Sequence, residues 1–484
     1  MTSSGSFSSP PSSTDLPLSF TTKASTIRTT SGLRLLDYTP ADTPPYGPSA
    51  PSTPPPPPLR TDETSCGGPV PDANNLKSPL PRVGRFARTI HGWSWQAFPI
   101  GMGTGAVYVC LSGIKTSQNS ALFGIETCFY ILNLVLFTLN SLTLILQALL
   151  YPRQSLRLIT DSSKNIFVPV MVLNFATIII GTVDYAVTPG HIGPNIIYIL
   201  FWIYVGLSVG MSFPLLMIWF NKPHDLLTFS PAWAFLFFPM MLVGTVAYSV
   251  LLVMQPTDTR AIGVLFVGYF FQGIGFCATM AYICIYFVRL ITTGFMEGHQ
   301  ASGAFVACGP PGFTAYALIG LGGHAQKILP AHDLVSPLAG EIWYASSVLG
   351  GLLLFGFAVF LFVFAVLPYW WKLHRHLREI LGCWALTFPN VGWISAVHLI
   401  GEVLHIPAFR IVHMVMAALI CVAWVILFSL TCLAIYRKKI FFDKPEDVIR
   451  DELHVHMHMH IHHHHEHHPG HAGKEGRAVG AEAV

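Results

Sequence analysis

Seven side chains that hydrogen-bond without carrying charge fall inside long apolar stretches of this 484-residue chain: Thr104, Asn174, Thr177, Thr245, Thr314, Asn390 and Ser395. Hydroxyls and amides at membrane depth can replace part of the hydration shell of a passing ion, and they also bond helix to helix. Charge is scarce there, since only Glu126 and Asp184 lie within those stretches, each near an end. With no carboxylate ring to attract cations, such donors favour an anion. Phe98, Phe238 and Phe388 each directly precede a proline. Rings turned to a common centre would form an apolar gate, whereas rings turned outward would pack against lipid or a neighbouring helix. His398 is the only histidine within the proline-bearing stretches as bounded below, and it is a candidate proton site. A satisfied polar group near the interface is the alternative for it.

Other chemistries find less support. The run 454–468, with His462-His463-His464-His465 at its centre, has the composition of a zinc-, copper- or nickel-binding tract, or of a solvated low-complexity tail. Metal transport needs ligands at membrane depth, and His398, His413, Glu126 and Asp184 all fall toward helix ends, so no metal site is expected in the membrane. The nine cysteines form no Cys-x-x-Cys pair and read as small packing residues. No paired carboxylates or nucleophile–base set stands out, so neither an enzyme nor a cofactor is expected, and no nucleic-acid partner.

The elements that would position these groups are membrane helices. Hydrophobic residues make up 52% and charged residues 11% of the chain, against roughly 25% charged in soluble domains. Ten stretches are long enough to cross a hydrocarbon core of about 30 Å, at roughly 93–113, 122–150, 165–187, 195–219, 230–254, 261–288, 301–321, 342–367, 381–401 and 411–436. Each odd-numbered stretch holds one proline of a near-regular series: Pro99, Pro169, Pro239, Pro310 and Pro389. The gaps are 169−99=70, 239−169=70, 310−239=71 and 389−310=79 residues, about one transmembrane hairpin each. A helix-interior proline bends its helix, which predicts five kinked odd helices around a central pore, each paired with a straighter partner. The expected fold is therefore all-α and integral to the membrane, with ten transmembrane helices as five hairpins.

Basic residues orient the chain. Arg82, Arg85, Arg88, Arg153, Arg157, Lys164, Lys222, Arg289, Lys372, Arg375, Arg378, Arg437, Lys438 and Lys439 flank one side, and Lys115, Arg260, Lys327 and Arg410 the other. That asymmetry predicts both termini in the cytoplasm. Residues 1–84 are rich in Ser, Thr and Pro and read as a disordered tail, 85–440 as the transporter domain, and 441–484 as a His-rich tail. No apolar signal segment is visible near the start, and Asp15, Asp37 and the prolines argue against a mitochondrial presequence.

Several segments resemble the tellurite-resistance/dicarboxylate transporter family. They are Trp93-Ser94-Trp95 with Met102-Gly103-Thr104-Gly105, Ser230-Pro231-Ala232-Trp233 leading to Phe238-Pro239 and Gly244, and Phe271-Gln272-Gly273-Ile274-Gly275-Phe276. Gly309-Pro310-Pro311-Gly312-Phe313 and Gly382-Cys383-Trp384-Ala385-Leu386-Thr387-Phe388-Pro389-Asn390-Val391-Gly392 follow in order. The likeness covers roughly residues 85–440 and is greatest to the fungal malate carriers of the family. It implies a homotrimer in the plasma membrane, each protomer with its own pore, and anionic substrates. These would be four-carbon dicarboxylates such as malate, succinate and fumarate, with sulfite or small inorganic anions as the alternative. It also implies that Phe388 matches the gate phenylalanine of the channel members, while Phe-Pro-Asn-Val-Gly at that place is closer to the malate carriers. Movement of a monoanion, or of an anion with protons, is implied as well.

Overall fold

The computed structural model describes residues 83–114, 120–376 and 380–451, so the Ser/Thr/Pro-rich tail and the histidine run lie outside the described residues. The described residues are helical, with no strand among them. In chain order the helices are α1 (Arg85–Gly92), α2 (Phe98–Ser112), α3 (Ser120–Leu150), α4 (Pro152–Thr160), α5 (Ser162–Asn165), α6 (Val170–Thr182) and α7 (Pro194–Phe220). Then follow α8 (Phe238–Leu251), α9 (Thr259–Thr293), α10 (Gly309–Ala331), α11 (Ala339–His376), α12 (Ile380–Cys383), α13 (Phe388–Val403) and α14 (Pro407–Tyr436).

The five prolines mark helix starts. Pro99, Pro239, Pro310 and Pro389 occupy the first turn of α2, α8, α10 and α13, and Pro169 is the N-cap of α6. A 3-10 turn leads into four of these helices, over Trp95–Ala97, Pro231–Leu236, Gly298–Cys308 and Trp384–Leu386. This corrects the expectation of a proline bending a continuous helix from within. A first-turn N–H has no intrahelical acceptor, so proline costs no bond there and its fixed φ suits the helix start. At each of the four junctions a 3-10 turn runs directly into an α-helix, so the hydrogen-bond pattern changes there.

The proline-led helices form a closed inner ring: α2 packs on α6, α6 on α8, α8 on α10, α10 on α13, and α13 back on α2. Eight helical segments among the described residues are long and apolar enough to cross a membrane; α8 is apolar but shorter. Burial separates two layers. Val170–Val187, Gln300–Ala331 and Ile380–Val403 are 72–89% buried, whereas α3, α7, α9, α11 and α14 are only 17–33% buried. The second group turns large side chains such as Leu149, Ile203 and Val425 outward, as suits contact with lipid.

Polar groups fasten the outer layer to the inner one. Glu126, Asn133, Asn140 and Gln147 recur every seven residues along α3 and are all buried on an otherwise exposed helix. Glu126 accepts from the Tyr185 hydroxyl (3.1 Å), and Asn133 donates to Tyr108 and Thr177 (3.1 and 2.9 Å). Asn140 donates to the Ala97 carbonyl, and the single Gln147 amide reaches the carbonyls of Ile90, His91 and Trp93. Seven residues make two turns, so this stripe keeps one face of α3 against α2 and α6.

The last described segment returns to the beginning. Phe441 stacks on Trp93 at 4.5 Å, and the buried His91 lies between Asp443 (2.8 Å) and Asp451 (3.1 Å). Arg157 of α4 pairs with Asp451 at 2.8 Å. Residues just beyond position 440 thus pack against α1 and α4.

Candidate functional site

A small cavity lies where the inner ring converges, and each ring helix contributes to its wall. α2 supplies Ala106 and Val109, α6 Ala176, Thr177 and Ile180, and α8 Leu242, Thr245 and Val246. α10 adds Phe313 and Tyr316, and α13 adds Phe388 and Val391. The space measures about 10 Å³, against the roughly 10–15 Å³ that one water needs on this measure. A hydrated anion does not fit in such a space.

Two phenyl rings meet at the cavity wall. Phe388, which is 2% exposed, meets Phe313 with ring centroids 5.0 Å apart and planes at 30°. The rings meet because α10 and α13 cross at glycines. A Cβ on Gly312 would come 2.6 Å from the Trp393 backbone nitrogen, and one on Gly392 would meet the Phe313 backbone. Only hydrogen fits on both faces of this crossing.

Polar groups at the cavity are neutral. Thr177 Oγ1 donates to the Asn174 carbonyl (2.7 Å) and accepts from Asn133 (2.9 Å). The Thr245 hydroxyl is buried and has no hydrogen-bond partner among the described residues.

Other residues singled out in the sequence lie away from this cavity. Phe98 is fully buried against Trp95 and Phe137, and Phe238 against Phe235, so both fill contacts between elements. Thr104 donates to the Ile100 carbonyl and accepts from Trp424 of α14. Thr314 accepts from Gln272 of α9 at 2.8 Å. Asn390 donates to the Leu386 carbonyl and accepts from Trp393, holding the turn before α13. The Asn174 amide nitrogen points at Gly101, and Ser395 is buried without a partner for its hydroxyl. His398 sits 3.3 Å from Glu402, its ring 4.8 Å from that of His413 on α14. Of the residues singled out in the sequence, Thr177, Thr245 and Phe388 line the cavity.

Sequence reading missed Phe313 and Tyr316. Phe313 closes the Gly309-Pro310-Pro311-Gly312-Phe313 segment, and Tyr316 follows it by three residues on the same helical face. α10 also extends to Ala331, beyond the expected limit of 321, which brings His324 into a ring helix. His398 is therefore not the only ring-helix histidine.

The profile of SLAC1, voltage-dependent anion channel, matches residues 92–432. The chain belongs to that family. The malic acid transport protein of Schizosaccharomyces pombe is 27% identical over 345 residues, covering 70% of this chain and 77% of that protein. A putative malic acid transport protein of the same organism is 26% identical over 377 residues, 76% of this chain and 85% of its own length. The sulfite efflux pump SSU1 of Arthroderma benhamiae is 26% identical over 355 residues, 72% and 92% of the two chains. This chain is accordingly a multi-pass helical membrane protein of an anion-transporting family, and its named relatives are transporters.

Proposed function

We propose that this protein carries four-carbon dicarboxylic acids, malate foremost and succinate and fumarate with it, across the plasma membrane. The observation that carries the reading is the meeting of all five ring helices at a charge-free cavity. Phe388 and Phe313 close it, and Thr245 offers an unpaired hydroxyl. Aromatic closure holds back water and small ions, and neutral donors stabilise an oxyanion without trapping it. The names of two malic acid transport relatives supply the substrate class.

On this reading the membrane is crossed ten times, as five hairpins. Each of α2 and α8 crosses together with the 3-10 turn before it. Both termini face the cytoplasm, three copies associate, and protons or a monoanionic substrate accompany transport. A second reading, sulfite efflux, draws on relatives of that name aligned over 92% of their length.

Labelled malate and succinate flux into proteoliposomes, with and without an imposed pH gradient and with a parallel sulfite arm, tests the proposal. Saturable malate flux supports it; sulfite flux with no malate flux replaces it by the second reading.

A further inference from the structure

We propose that Arg289 binds an oxyanion beside the segments that lead into α8 and α10. On the reading above, on which this inference rests, that oxyanion is the carboxylate of the transported acid. Arg289 stands near the end of α9 and, at 6% exposed, is the only buried arginine or lysine among the described residues. Taking a guanidinium out of water is costly unless an opposite charge faces it.

No carboxylate pairs with it among the described residues. Nη1 donates to the Gly294 carbonyl at 3.3 Å, and Nη2 reaches the Leu227 carbonyl at 3.5 Å and Gln300 Oε1 at 3.3 Å. These contacts to neutral oxygens are long, against about 2.7–2.9 Å for a guanidinium on a carboxylate. Nε is buried and has no acceptor among the described residues. Asp225, the acid nearest in sequence to Leu227, accepts from the Leu227 N–H at 3.0 Å instead. Other arginines are neutralised: Arg157 meets Asp451 at 2.8 Å, and Arg260 meets Asp258 at 2.7 Å. The charge of Arg289 is left for an anion that arrives from solution.

The same contacts place the site. Gly294, with φ at +75°, ends α9 in a conformation that glycine favours. Leu227 belongs to the 3-10 turn Leu226–Thr228, shortly before the lead into α8, and Gln300 to the 3-10 segment that runs into α10. Gln300 spans the two by donating to the Thr228 carbonyl at 3.5 Å. Arg289 thus lies between the approaches to two ring helices that pack on each other, on the side of the chain where basic residues gather. Their summed field raises the local concentration of anions, and the planar guanidinium fork suits the two oxygens of a carboxylate.

The test is flux through the full chain, inserted in one orientation in phosphatidylcholine vesicles, for wild type, Arg289→Lys and Arg289→Gln. Labelled malate and, in parallel, sulfite are presented to the basic side and then to the opposite side. Arg289→Gln raises the KM read from the basic side about tenfold or more, as expected for losing a charge-assisted contact, and leaves the KM from the opposite side little changed. Arg289→Lys keeps the charge without the fork and gives a smaller shift on the basic side alone; it carries the comparison if Arg289→Gln fails to reconstitute. Equal shifts on both sides, or none on the basic side, overturn the assignment. An unchanged KM with thermal stability that rises on adding phosphatidylglycerol in wild type, and not in Arg289→Gln, overturns it too, since the occupant is then a lipid phosphate. If wild type carries sulfite and not malate, the dicarboxylate reading falls, and the sulfite KM still decides for or against Arg289.

Discussion

Phe388 and Thr245 touch the same cavity and should fail in opposite ways when altered. Phe388→Ala removes one of the two closing rings, so anion leak should rise and discrimination between dicarboxylates and chloride weaken. Anion currents normalised to surface expression check this, and unchanged current and selectivity at normal expression would exclude a gate. Thr245→Val removes a hydroxyl that has no partner, so the protein should gain stability, by up to roughly 1–3 kcal/mol, while substrate flux falls. Thermal unfolding in detergent beside a flux assay reads both; slower flux with lower stability would mean the hydroxyl served packing. Phe388 was legible because it precedes a proline in a distinctive segment. Phe98 and Phe238 precede prolines too, yet they fill contacts between elements. What separates them is helix rotation, which brings Phe313 opposite Phe388 through the glycine crossing and is set by partners distant in sequence.

Helices α10 and α13 meet so closely that the junction tolerates little added volume. Gly312→Ala would place a methyl 2.6 Å from the Trp393 backbone nitrogen, and backbone cannot swing aside. Overpacking of this kind typically costs about 1–3 kcal/mol, so lower expression and a lower unfolding temperature are expected, together with a displaced Phe313. The outer helix α3 depends on its polar stripe in a different way. Gln147→Leu leaves the Ile90, His91 and Trp93 carbonyls without their shared donor, with an expected loss of roughly 1–3 kcal/mol by thermal unfolding. The helices were legible from hydropathy and the ring starts from proline spacing. The seven-residue repeat of Glu126, Asn133, Asn140 and Gln147 was equally present in the sequence. It passed unseen because the amides and hydroxyls weighed were those of the proline-bearing stretches, and the stretch 122–150 is not one of them. The proline geometry was misread for a related reason: a proline inside an apolar stretch does not reveal that the stretch is a 3-10 turn followed by an α-helix.

At the scale of the whole molecule, the two ends of the described chain are joined at His91. Burial disfavours the charged imidazole, but hydrogen bonds and the fields of Asp443 and Asp451 outweigh it, leaving the pKa above its ordinary 6.5. A raised folded-state pKa gives stability that is fully present below pH 6.5 and fades as pH climbs through the raised value. Unfolding temperature should therefore decline from about pH 6 toward about pH 8, and His91→Gln should flatten that slope; an unchanged slope would show that other groups set it. None of this was legible beforehand, because the segment after residue 440 read as tail, and nothing local in Asp443 or Asp451 names a partner. The join also orders events during synthesis. The carboxylates that satisfy His91 lie 352 and 360 residues downstream, so the first described helix is among the last to be completed. A nascent chain that stops short of Asp443 carries an imidazole without its counter-ions, and a premature stop some forty residues before the C-terminus would be felt at the first described helix.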